Sequence, residues 1–116
     1  MDLDTWKEGH KLLMMIYRIS NIFPHKEVYA LTSQMRRCAV SITSNIAEGF
    51  SRKTQKEKSQ FYYIALGSIT ELQNQLIIAN DLNYIEKEKF NDLIGQLTTV
   101  QKLINGLIKS AKILTT

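Results

Sequence analysis

The stretch SITSNIAEGFSRKTQKE, residues 41–57, contains the end of one helix, a turn and the start of another helix. Gly49 follows a segment of helical periodicity and stands where a glycine commonly ends a helix in the left-handed conformation. Thr54 and Glu57 have the spacing of a capping box, in which each side chain satisfies a backbone N–H of the other residue. The stretch therefore predicts two helices that are joined by a short turn.

The rest of the chain adds two more helices. Thr5 and Glu8 form a second capping-box pattern, and Pro24 predicts the end of that first helix. The segment Asp81-Leu82-Asn83 contains residue types that tolerate turns. We expect helices at about 5–22, 27–48, 55–80 and 86–113.

Apolar residues recur in steps of three and four in every segment, which is the pattern of a helix with one buried face. The predicted stripes are Leu12, Met15, Ile16, Ile19 and Phe23; Val28, Leu31, Met35, Cys38, Ile42 and Ile46; Phe61, Ala65, Ser68, Leu72, Leu76 and Ala79; and Phe90, Leu93, Leu97, Val100, Ile104, Leu107 and Ala111. No segment alternates as a strand does. The predicted fold is all-α, a single antiparallel up-and-down four-helix bundle that forms one domain over residues 1–116.

Composition is that of an ordinary globular domain, with 44% hydrophobic and 22% charged residues in a chain of 116. No apolar run is long enough to cross a bilayer, and the first residues lack the apolar segment of a signal peptide. We therefore expect a cytoplasmic location and no membrane partner. Cys38, the one cysteine, excludes an internal disulfide, and its apolar neighbours favour a buried, inert thiol over a reactive one.

A polar line runs along the second helix beside its apolar stripe. It includes Arg37, Ser41, Asn45 and Glu48, which fall on one helix face. Glu48 is disfavoured by the negative end of the helix dipole, so we expect a cationic partner for it, and Arg52 is near enough to pair. We interpret the four residues as a structural polar clamp that holds the turn into the third helix.

Catalytic, cofactor and metal sites are not predicted. The helices lack the Glu-x-x-His pairs of di-metal bundles, and no Cys/His spacing suits zinc. Arg18 and His25 have a spacing that some helical ribonucleases use, but Pro24 ends the helix between them. We favour a loop without chemistry over that enzyme hypothesis, and expect neither an enzyme nor a small-molecule substrate.

The turn contains four cations, Arg52, Lys53, Lys56 and Lys58, against one acid, Glu57. The N–H groups that open the third helix add positive potential there. Two interpretations remain open, a polyanion-binding site and a solvated turn. The net charge of +4 permits an anionic partner without requiring one.

Apolar residues also lie outside the predicted core stripes. They are Trp6, Leu13 and Tyr17 on the first helix and Tyr29, Val40 and Ala47 on the second, and Leu66 and Ile77 likewise lie away from the stripe of the third helix. Wide stripes occur in small bundles, but we favour a protein–protein surface, with a homo-oligomer as the simplest partner.

Two segments carry a family resemblance, QMRRCAVSITSNIAEGFSRK at 34–53 and FYYIALGSITELQNQLIIANDLNYI at 61–85. They resemble the four-helix-bundle family of 23S rRNA intervening-sequence proteins, which carries the patterns Q-x-R-R-A-A-x-S-I-x-x-N-I-A-E-G and A-x-G-S-x-x-E-L. Cys38 replaces the usual alanine, and Glu86 stands where a capping serine is common.

The resemblance implies a cytoplasmic bundle that assembles as a homopentamer and has no established enzymatic activity. A distantly related bundle family works with reverse transcriptases and binds nucleic acid. Our expectation from the sequence is a non-enzymatic oligomeric scaffold whose basic turns contact RNA or another polyanion. The alternative is a purely protein-binding assembly module that makes no contact with nucleic acid.

Overall fold

Four α-helices make up most of the chain. The computed structural model describes the backbone of residues 3–115 and the side chains of residues 4–114, so the ends of the predicted domain lie outside the described residues. The helices are α1 (Leu3–Ser20), α2 (Leu31–Ser51), α3 (Gln55–Asp81) and α4 (Lys87–Thr115), and a 3-10 turn spans His25–Glu27. No strand occurs within residues 3–115, and the all-α prediction is confirmed.

Neighbouring helices run in opposite directions. Gly9, early in α1, packs against Thr43, late in α2, while Ser20 at the end of α1 bonds to Arg36 near the start of α2. Similar pairs join the other helices: Ser41 with Ser68 for α2 and α3, Tyr63 with Lys112 for α3 and α4, and Glu8 with Gln96 for α1 and α4. The four-helix bundle is therefore antiparallel and up-and-down, as predicted.

All four helices contribute to one core, and its centre consists of aliphatic side chains. The largest fully buried apolar residues are Leu12, Ile16, Met35, Ile42, Ile46, Ile69, Leu72, Leu76, Leu97, Val100 and Ile104. Each of these except Ile69 belongs to a predicted stripe. Burial of a Leu or Ile side chain contributes about 1.5–3 kcal/mol, so this layer supplies most of the force that holds the helices together.

The first helix starts earlier than the capping pattern predicted. Because α1 begins at Leu3, Thr5 lies inside the helix, where its side chain is buried, and the expected N-terminal capping box is wrong. Half of the second capping box is present, since Thr54 Oγ1 accepts a 3.1 Å hydrogen bond from the Glu57 backbone N–H at the start of α3. The Glu57 carboxylate accepts its 3.1 Å hydrogen bond from the Thr54 hydroxyl instead of from the backbone N–H.

Helix α2 is displaced toward the C-terminus relative to its predicted range of 27–48. No side chain caps its first turn, which begins at Leu31 after the 3-10 turn, and Val28 is consequently exposed instead of in the core. Glu27 has another partner, because its Oε2 accepts a 2.8 Å hydrogen bond from the Tyr84 hydroxyl. This bond joins the α1–α2 connection to the α3–α4 turn.

Gly49 does not end α2. No glycine among the described residues has a positive φ, and Gly49 is a buried helical residue two positions before the last one, Ser51. A Cβ at position 49 would overlap the Tyr62 ring of α3. Glycine is thus needed here for close approach between helices, and the expected left-handed cap is wrong. The left-handed residue in the described chain is Asn83, with φ 62°, in the α3–α4 turn.

Candidate functional site

The predicted polar clamp divides into separate groups in the structure. Ser41 Oγ and Ser68 Oγ lie 2.8 Å apart across the α2–α3 contact, and Asn45 Nδ2 donates to the Ser41 carbonyl oxygen at 2.8 Å. Glu48 instead forms a 3.0 Å ion pair with Arg52, the partner expected for it. Arg37 is exposed and lies on the outer side of α2. Of the four predicted clamp residues, Ser41 makes the hydrogen bond to α3, and Asn45 supports Ser41 from within α2.

Cys38 extends the α2–α3 contact by one turn. Its Sγ donates a 3.1 Å hydrogen bond to Glu71 Oε2, a partner that the sequence analysis missed. Burial, followed by the bond to Glu71 and its negative charge, raises the pKa of the Cys38 thiol from 9.0 to about 11. The spacing could have revealed this contact, because Cys38 precedes Ser41 by three residues and Glu71 follows Ser68 by three on the antiparallel helix.

Two of the four cations in the basic turn make contacts within the bundle. Lys58 Nζ donates hydrogen bonds to the carbonyl oxygens of Phe50, at 2.9 Å, and Gly49, at 3.3 Å, at the end of α2. Arg52 pairs with Glu48 and places its guanidinium 4.6 Å from the centre of the Phe61 ring. The sequence did not indicate the helix-capping role of Lys58, because it depends on how the turn folds back.

Lys53 and Lys56 remain available to a partner. Both side chains are exposed, and neither makes a hydrogen bond or ion pair with any residue of the described chain. Further cations come to the same end of the bundle from the start of α1 and the end of α4. We call this group the basic end: Lys7, Arg52, Lys53, Lys56, Lys58, Lys109 and Lys112.

Charges at the opposite end are nearly balanced. Its cations are Arg18, Lys26, Arg36, Arg37, Lys87 and Lys89, and its acids are Glu27, Asp81, Glu86, Glu88 and Asp92. At the basic end the acids of the described chain are Asp4, Glu8, Glu48 and Glu57. The basic end, where α2 passes into α3, therefore carries the larger excess of positive charge, with seven cations against four acids.

A groove of about 770 Å³ lies between the last turns of α1 and the first half of α2. We call it the α1/α2 groove, and it is lined by Tyr17, Ser20, Asn21, Phe23, His25, Val28, Tyr29, Thr32, Ser33, Arg36, Arg37 and Val40. None of these residues is acidic. Three of the six residues predicted for an oligomer interface, Tyr17, Tyr29 and Val40, are on this groove, and Tyr29 is 95% exposed.

The other three predicted interface residues lie outside the groove. Trp6 and Leu13 are half-buried on α1, where both pack against the core and Trp6 stacks on His10 with 5.0 Å between ring centres. Ala47 is exposed on α2. They share with Tyr17 and Val40 the three- and four-residue spacing of one helix face, so the six residues follow the outer side of the α1–α2 pair.

Arg36 is held in a fixed position at the groove. Its Nε donates to Ser20 Oγ at 2.9 Å, one terminal nitrogen donates to Asn21 Oδ1 at 2.8 Å, and the guanidinium lies 4.8 Å from the centre of the Tyr17 ring. Arginine in such a planar, bonded arrangement loses little further freedom when it meets a carboxylate.

The structure separates the two residues of the ribonuclease hypothesis. His25 lines the α1/α2 groove, whereas Arg18 lines a different cavity between α1 and α4. In the described part of the chain, no three His, Cys, Asp or Glu side chains are grouped as a metal site requires. Within those same residues, no helix combines the length and apolarity of a bilayer span.

A small antiparallel four-helix bundle with one basic end and a groove without acidic residues is the class of protein that these features define. The chain belongs to the family of 23S rRNA-intervening sequence proteins, whose model matches residues 1–106, and the resemblance seen in the sequence is confirmed.

A similar solved structure is a protein of unknown function from the S23 ribosomal protein family of Bacteroides thetaiotaomicron VPI-5482. It has a TM-score of 0.84 and 20% identity, over 90% of this chain and 98% of that one, and it supports the fold. An uncharacterised protein of Methanocaldococcus jannaschii is 43% identical over 35 residues. That match spans 30% of this chain and 26% of the archaeal protein, so the chain covers about a quarter of that relative's length.

Proposed function

We propose that this protein is a non-enzymatic, cytoplasmic, homo-oligomeric scaffold that binds RNA or another polyanion at its basic end. The observation that carries the proposal is the gathering of cations from three helices at one end of the bundle. Phosphate backbones attract such a cluster without any catalytic group. A reduced, hydrogen-bonded Cys38 is in keeping with the cytoplasm.

The contacts of the individual cations indicate how binding would be shared. Lys53, Lys56 and Lys109 are exposed and supply flexible positive charge. Lys58 has already committed its ammonium group to the end of α2, so it contributes mainly at long range. Since lysines contact phosphates without reading bases, we expect binding with little sequence preference. An oligomer, of five copies as the family resemblance implies, would repeat the cation cluster and raise its affinity for a polyanion.

Replacement of Lys53, Lys56 and Lys109 by Gln tests the proposal. Log affinity for a single-stranded RNA should fall with log salt, by about 0.7 for each phosphate contacted, so the triple variant should lose about two units of slope. Fluorescence anisotropy with a labelled oligonucleotide, repeated at several salt concentrations, measures this slope.

The matched control replaces Lys26, Lys87 and Lys89 at the opposite end by Gln, which changes net charge by the same amount. The control should retain the salt slope of the parent. Equal losses in the two variants would show that net charge alone matters and would contradict a localised site.

The protein-binding module is the alternative, and a specific observation favours it. From Ser59 to Asn80, in α3, Glu71 is the only charged residue, although this helix lies at the surface. Charge depletion of this kind is typical of buried interface centres. If the parent protein does not bind RNA even at low salt, the protein-binding module is favoured over the polyanion-binding scaffold.

A further inference from the structure

Exposed residues on the outer side of α3 form a second surface, in which one residue is charged. We call it the α3 ridge, and it consists of Tyr63, Thr70, Asn74, Ile77, Ile78 and Asp81. At 100° per residue these positions fall within about 100° of arc. Ile77 and Ile78 are 44% and 41% exposed, and Tyr63 is 47% exposed. In α4, by contrast, no large apolar side chain before Ile113 is exposed. Helix α3 therefore presents apolar area to solvent that α4 does not.

The ridge and the α1/α2 groove have opposite charge. The groove contains Arg36 and Arg37 and no acid, whereas Asp81 is the charged member of the ridge. The carbonyl groups that end α3 beside Asp81 add negative potential. Arg36 is already oriented by Ser20 and Asn21, so the groove presents a positive charge of fixed position, which attracts the acidic end of the ridge on a second molecule.

The two surfaces also lie at the same level along the bundle. Ser41 is opposite Ser68 and Cys38 is opposite Glu71, so residue numbers fall along α2 as the opposed residue numbers rise along α3. Continued by two turns, it places Ile77 and Ile78 level with Leu31 and Thr32, beside the groove. Two surfaces can meet in a closed ring only if they lie at equal height along the rotation axis, because an offset would produce an open helix.

We propose that the lower half of the α3 ridge, from Asn74 to Asp81, docks into the α1/α2 groove of a second copy of this chain. The contact is heterologous, since each copy gives one surface and receives the other. This inference rests on the homo-oligomer of the proposed function and specifies which surfaces build it. The basic end takes no part in the contact and stays free for a polyanion.

Complementation between two variants tests the pairing. Tyr29→Glu with Val40→Glu blocks the groove, and Ile77→Glu with Ile78→Glu blocks the ridge; all four positions are exposed. Each variant alone should be a 13.4 kDa monomer by light scattering. Mixed in equal amounts, they should form a one-to-one pair of twice that mass, because one intact groove meets one intact ridge and the two blocked surfaces cannot continue the ring.

Thr99→Glu with Asn105→Glu, on the exposed side of α4, is the control and should assemble as the parent does. If either double variant unfolds, Ser33→Glu in the groove and Asn74→Glu on the ridge replace it, with the same expectation. A mixture that remains monomeric while the parent is oligomeric would overturn the pairing of groove and ridge but not the homo-oligomer.

A monomeric parent would overturn the pairing and the homo-oligomer together. Loss of RNA binding with intact complementation would contradict the polyanion site alone.

Discussion

Gly49 shows how a residue type can be recognised from sequence while its reason is mistaken. A glycine near the end of a helix suggests a left-handed cap, but the structure keeps it helical and uses its missing side chain to admit Tyr62. The sequence could not reveal this reason, because the contact joins two helices through a ring 13 residues away in the chain. A local sequence pattern does not indicate how closely the backbone of α2 approaches the Tyr62 ring of α3.

Gly49→Ala should destabilise the protein by about 1–3 kcal/mol, since the new methyl group overpacks against Tyr62. Gly95→Ala, in an open position on α4, should instead stabilise it by about 0.5–1 kcal/mol through helix propensity. Urea unfolding measures both changes. Because Tyr62 is itself a core residue, the test is a double-mutant cycle: Gly49→Ala should cost much less in a Tyr62→Leu background than in the parent, and equal costs would contradict the steric explanation.

Cys38 gives stability a dependence on alkaline pH. Its folded-state pKa of about 11 exceeds the ordinary value of 9.0, so the folded protein holds the thiol proton more tightly than the unfolded chain. The stabilisation is complete below pH 9 and is lost as pH rises through 11. The difference in unfolding free energy between the parent and Cys38→Ala should therefore shrink over this range. A constant difference would show that the thiol is not titrating with a raised pKa.

At the scale of the element, the apolar stripes and turn residues were sufficient to predict four helices and most of their buried side chains. The bounds of α3 and α4 differ from prediction by one or two residues, whereas α2 begins four residues late and ends three residues late. Both ends of α2 depend on other elements. Glu27 is bound by Tyr84, and Gly49 packs against Tyr62. Apolar periodicity describes one segment at a time, so it cannot predict helix ends that depend on contacts with other elements.

Lys58 is a further case in which a residue of another helix stabilises the end of α2. Replacement by Met keeps the apolar stem but removes the hydrogen bonds to the Gly49 and Phe50 carbonyl groups, so we expect a loss of about 1 kcal/mol. Lys56→Met, at a neighbouring exposed position without such bonds, should change stability by less than about 0.5 kcal/mol. Thermal unfolding of the two variants makes the comparison, and equal midpoints would show that the cap contributes nothing.

For the whole molecule, the sequence located the cations and spare apolar residues but not their arrangement. Arg52 to Lys58 are adjacent in the chain, yet Lys7 and Lys109 join them only because antiparallel helices bring the start of α1 and the end of α4 to the same place. The α3 ridge was recognised only in part, through Ile77, which lies outside the apolar stripe of α3. Tyr63 and Ile78 were missed because they fit a helix that is apolar on several sides, which resembles a buried helix when α3 is considered alone.

The unequal charge of the two ends makes the molecule an electric dipole along its longest dimension, 48 Å. At physiological ionic strength the screening length is about 8 Å, so the nearly balanced end is several screening lengths from any surface that the basic end touches. A nearby polyanion therefore exerts a torque that turns the molecule before contact. If the proposed polyanion site is correct, the bundle would arrive upright with its helices pointing at the phosphates, and its cross-section of 25 × 20 Å would set the length of nucleic acid that one copy can cover.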